Sequence, residues 1–169
     1  MSRGVRISTK FTCYKIAGRT VDRLNQQMRA RGPVVDGKRA AASTEWSIAW
    51  GYNAEQTATT CKVATADVRA RVTFSFPNWD SPKDAPPDLV ARWEQFLSQV
   101  FEHEQRHKEI AVSGAREIRA AFLNLGTFAS CDALGRRAQK EARAIVERTR
   151  QRQTNFDRRE AEGEGPALS

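Results

Sequence analysis

The chain has 169 residues, 40% of them hydrophobic and 28% charged, with a negative mean hydropathy. That balance fits one globular domain over residues 1–169, large enough to bury a core, with residues 1–9 and 163–169 as flexible ends, and it excludes a membrane span. The 28 Lys and Arg against 20 Asp and Glu give a net charge of +8, which favours acidic partners or an anionic surface.

The first eight residues carry no apolar stretch of signal-peptide length, so the chain reads as intracellular or as a mature form with an added methionine. Lys10 to Ile16 alternates in a β-rich composition and predicts a strand. Gly18 breaks it, and Thr20 can cap a helix carrying Val21, Leu24 and Met28, which stops at Gly32-Pro33. A loop through Asp36-Gly37-Lys38 leads to a second strand, Thr44 to Tyr52. There Trp46, Ile48, Trp50 and Tyr52 lie two apart and form an aromatic face suited to burial against a helix. A third extended segment starts at Cys61 and runs through Val63, Val68, Val72, Phe74 and Phe76, and its alternation is interrupted at Ala64 to Asp67, where a bulge or a break fits. The proline-rich stretch from Pro77 to Pro87 predicts an irregular connection.

Asp88 can cap a long helix ending near Leu125, with a kink at Gly114, and Asp132 can start a last helix reaching Gln153. Asn155 to Ser169 reads as a tail. The last helix is rich in Arg and Lys, a run that could follow a phosphate backbone. A solvated helix face has the same composition, and no base-reading motif accompanies it, which argues against nucleic acid as the partner.

Inside the long helix stands His103-Glu104-Gln105-Arg106-His107, which holds both histidines of the chain. Residues four apart share one helix face, so the two imidazoles can address a single Zn2+ ion. Glu104 sits beside them to take a proton from the attacking water, the metalloprotease arrangement. The same residues continue the apolar face of Phe96 and Val100, so two packed core histidines are the competing reading. The three cysteines, Cys13, Cys61 and Cys131, have no metal-site spacing; one disulfide with a leftover thiol and three free thiols both stay open.

The order Tyr14 to Gly18, Leu24, Met28, Gly32-Pro33, Trp46-x-x-x-Trp50, Cys61, Pro77-x-Trp79, Trp93, the histidine motif and Cys131 resembles a bacterial family of predicted secreted zinc-dependent proteases. That family is known as domain of unknown function 922. The resemblance runs from about Tyr14 to Ala167 and implies an α+β, zincin-like fold. In it, a small antiparallel sheet of about three strands packs with a short N-terminal helix and two long C-terminal helices. It implies a zinc metalloprotease acting on a peptide or protein substrate in the periplasm or outside the cell, with Cys61 bridged to Cys131 and Cys13 free. The family tail resembles Tyr-Asp-x-x-Thr-x-His-Gly, and Glu162 stands where its histidine would supply the third metal ligand. Asp157, Glu160 and Glu164 are rivals for that role. Phe156 replaces the tyrosine and so removes a hydroxyl that could serve an oxyanion. Two other classes stay open, an inactive zinc-binding or structural relative and a basic helical nucleic-acid-binding protein.

Overall fold

The computed structural model describes residues 4–163 and 165–169. In chain order the elements are β1 (Val5–Ile16), α1 (Val21–Arg31), β2 (Val34–Val35), β3 (Lys38–Arg39), β4 (Ser43–Gln56), β5 (Cys61–Trp79), α2 (Pro87–Leu123), β6 (Thr127–Phe128) and α3 (Cys131–Glu162). The fold is α+β, with three helices and more strands than expected among the described residues. The main sheet has the order β1-β5-β4, and β6 pairs with β5, antiparallel, through Cys61↔Phe128 and Lys62↔Thr127. A separate ribbon pairs β2 with β3 across Asp36-Gly37, whose φ angles of 50° and 79° meet the demand of a two-residue hairpin turn.

The main sheet is also not wholly antiparallel. Contacts from β1 to β5 keep a nearly constant offset, 61 residues for Arg6–Asp67 and 62 for Thr12–Phe74. Antiparallel strands would change that offset by two for each step, so β1 and β5 run the same way. β4 and β5 are joined by only Thr57 to Thr60, and so short a connection can link only antiparallel neighbours.

Local chemistry accounts for the element ends. The Thr20 hydroxyl accepts from the Arg23 amide at the start of α1. α2 begins at Pro87, whose missing N–H costs nothing in the first turn, so Asp88 lies inside that turn and its charge meets the positive end of the helix. Ser130, not Asp132, caps α3 by accepting from the Ala133 amide. β5 continues through Pro77 to Trp79, where proline near a strand end breaks little pairing, so the irregular connection starts at Asp80. β1 already starts at Val5, inside the stretch expected to be a loose end.

The described residues group into two compact units, to which β1, β4, β5, α2 and α3 all contribute. One takes the chain up to Ser8, Trp46–Val72 and Glu109–Phe156; the other takes Thr9–Glu45, Thr73–Lys108 and Asp157–Ser169. In the first unit Ala66, Val68 and Ala70 of β5 pack with Ala115, Ile118 and Phe122 of α2 and Ala138, Ala142 and Ile145 of α3. The aromatic face of β4 covers this core: Ile48, Trp50 and Tyr52 lie against it, and the Trp50 indole donates to Gln139 at 3.2 Å. The buried side of β5 switches phase between Val63 and Ala66, where the sequence breaks its alternation. α2 runs uninterrupted through Gly114. A Cβ there would collide with the Thr149 side chain, so this glycine allows a close helix–helix approach.

A disulfide joins Cys61 to Cys131 across 70 residues, and Cys13 is free and exposed. Closing so long a loop restricts the unfolded chain by about 4 kcal/mol in the chain-entropy model. Cys131→Ser is therefore expected to lower the unfolding midpoint by roughly 10 °C. A thermal melt unchanged between the two proteins would contradict it.

The buried apolar residues of the second unit include Leu24 and Met28 of α1, Phe74, Phe76 and Trp79 of β5 and Trp93 and Phe96 of α2. The Trp79 indole donates to the Gly18 carbonyl at 3.0 Å and meets Trp93 edge-on at 5.8 Å. The chain end is anchored here as well: Leu168 is buried, and its carbonyl accepts from the Asn25 side chain. No described helix is long and apolar enough to cross a membrane.

Candidate metal centre

Everything in this site belongs to the second unit. On α2 the buried residues Trp93, Phe96, Val100, Glu104 and His107 recur at three- and four-residue steps, so the motif continues the face that the helix buries. His103 lies beside that face, and its ring centroid is 5.1 Å from that of His107. Both rings meet the side chain of Asp157, which α3 supplies. The Nε2 atom of His107 lies 2.7 Å from Asp157 Oδ1 and that of His103 lies 3.2 Å from the same oxygen. A carboxylate can only accept, so these contacts are hydrogen bonds when Nε2 carries the proton, and the same nitrogens can ligate a metal when it does not.

Among the described residues, His103, His107 and Asp157 are the group of potential donors that converges, with ligand atoms within 4.8 Å of one another. Two imidazole nitrogens and a carboxylate oxygen make a donor set that zinc accepts. Ligands at 2.0–2.1 Å around a tetrahedral ion would be separated by about 3.3 Å. The two imidazole–carboxylate separations, 3.2 and 2.7 Å, are close to that spacing, and the two imidazole nitrogens lie within 4.8 Å of each other, so the three side chains could close on such an ion by small side-chain shifts.

Asp157, not Glu162, is the rival carboxylate that the structure brings to the two histidines. α3 does not stop at Gln153 but continues through Glu162, which makes the first part of the expected tail helical. At 100° per residue, five steps turn Glu162 about 140° away from Asp157 around the helix. Glu162 is exposed there and stands outside the converging group, as does Glu160, while Glu164 lies outside the described residues.

Glu104 is 5% exposed, against 46% for the Asp157 side chain. Its Oε2 accepts from the Thr44 hydroxyl at 2.5 Å, and its backbone carbonyl lies 3.3 Å from the same hydroxyl. Burial pushes the Glu104 carboxyl above the usual carboxylate range, against the Thr44 hydrogen bond and the two histidines, which favour its charged form. For Asp157 burial also opposes the charge, but hydrogen bonds from His103 and His107 outweigh it and hold the carboxyl well below that range. The surroundings thus push the two carboxyls in opposite directions, Asp157 down and Glu104 up. Thr44 went unseen in the sequence, since nothing local marks a threonine 60 residues upstream as a partner of Glu104.

Residues 11–165 match a family described as "Bacterial protein of unknown function (DUF922)". The chain belongs to this family. The match includes His103, Glu104, His107, Thr44, Asp157, Cys61 and Cys131, so the site and the disulfide lie inside the shared region. No curated protein and no solved structure matches the chain.

Proposed function

We propose that this member of the DUF922 family is a zinc-dependent metallopeptidase of zincin-like architecture that hydrolyses peptides or proteins outside the cytoplasm. The observation that carries this reading is the convergence of His103, His107 and Asp157, with the buried carboxyl of Glu104 next in sequence to a ligand. Zinc held by those three side chains would polarise the scissile carbonyl and acidify the attacking water. Glu104 takes the proton from that water and passes it to the departing amine. Its burial suits the task, because a raised carboxyl holds the proton long enough to deliver it. Asp157 adds a negative charge that favours a cation between the histidines. The disulfide supports a periplasmic or extracellular address, since such bonds persist in oxidising compartments.

Elemental analysis of the purified protein beside His103→Ala and His107→Ala tests the metal. About one zinc per chain is expected in the parent, with most of it lost from each variant. Retention of zinc by both variants, or none in a zinc-supplemented parent, would overturn the reading.

A further inference from the structure

Glu104 is held from a strand that contributes no metal ligand. Thr44 sits at the second residue of β4, on the side chain face shared with Trp46 and Ile48, and its hydroxyl spans the carboxylate and the backbone carbonyl of Glu104. The chain that delivers Thr44 is pinned just upstream. The Ala40 amide donates to the Pro33 carbonyl at 2.8 Å, the Tyr14 hydroxyl donates to the Ala41 carbonyl at 2.5 Å, and Ala42 and Ser43 are buried. A hydroxyl on a rigid strand end can fix a carboxylate rotamer that the helix alone leaves free, because the long Glu side chain otherwise samples several.

We propose that Thr44 is a positioning residue for Glu104. Its hydroxyl holds Oε2 and so fixes the rotamer of the carboxylate. The inference rests on the peptidase reading for its catalytic meaning and on geometry alone for the contact. The contact makes a specific demand: a hydroxyl at position 44 is required, and its methyl group is not. Thr44→Val keeps the shape and removes the donor, whereas Thr44→Ser keeps the donor and removes the methyl.

The test has one arm that needs no turnover. In full-length protein carrying 13C-labelled glutamate, the infrared carboxyl band of Glu104 is located by its loss in Glu104→Gln. In Thr44→Val the band is expected to shift, and in Thr44→Ser to return to the parent position. The second arm is kinetic, on zinc-loaded protein with a cleaved peptide. Thr44→Val is expected to lower kcat about 10–100-fold, as loss of a supporting hydrogen bond does, with KM and zinc content close to the parent, and Thr44→Ser to restore most of kcat. A band and a kcat unmoved by Thr44→Val would overturn the proposal. So would equal losses in Val and Ser, which would mark a packing role. A parent that cleaves nothing would remove the peptidase reading and with it the catalytic role of Thr44, and the infrared arm would still decide the contact.

Discussion

Glu104→Gln is expected to lower kcat for peptide hydrolysis by roughly 10³-fold while zinc content stays at the parent level. The substitution is nearly isosteric, and the amide oxygen can still accept from the Thr44 hydroxyl, so the packing around this buried position survives. What it removes is the ability to take and return a proton. Both histidines and Asp157, the proposed ligands, are untouched, so metal affinity has no reason to fall. Because burial raises the Glu104 carboxyl and the base must be ionised to accept a proton, the acid limb of kcat/KM in the parent is expected above the usual carboxylate range and absent from the residual activity of the variant. The measurement is a pH profile of both proteins at matched zinc occupancy. A Gln variant that cleaves at the parental rate would take the base role from Glu104. Activity and zinc lost together would instead mean that this carboxyl serves the metal or the fold.

Much of this centre was legible in the sequence because it is local. Two histidines four apart share a helix face whatever the rest of the chain does, and the buried stripe of α2 shows on which side that face turns. The cap at Thr20, the aromatic side of β4 and the phase change in β5 follow equally from neighbours in the chain. What escaped is long-range. Asp157 lies 50 residues beyond His107, and its selection over Glu162 depends on how far α3 runs. Residues 154–162 have Phe156 as their one large apolar side chain and carry no apolar stripe, so their helicity is favoured by good helix formers such as Arg158, Arg159, Glu160, Ala161 and Glu162. β2, β3 and β6 are two residues each, too short for any periodicity to show. The parallel pairing of β1 with β5 likewise has no local signature, since a crossover is a property of the whole topology.

The two carboxylates of α3 separate by a direct comparison. Asp157→Ala is expected to weaken zinc binding by at least about 10²-fold, more than outer-shell changes usually cost, because one of three protein ligands goes. Glu162→Ala, on an exposed position turned away around the helix, is expected to leave affinity within about twofold. Asp157→Asn sharpens the contrast. It preserves volume and can still meet the imidazoles, but it loses the negative charge that burial fails to neutralise, so it is expected to bind zinc far more weakly than the parent. Competition with a chromophoric chelator reads all four proteins on one scale. Thermal melts of the zinc-free proteins control for the Asp157 hydrogen bonds to His103 and His107, whose loss lowers stability without bearing on the metal. Zinc held equally by Asp157→Ala and the parent would break the ligand assignment. Zinc lost from Glu162→Ala alone would return the third ligand to the position implied by the family tail, and would require the end of α3 to unwind when the ion binds.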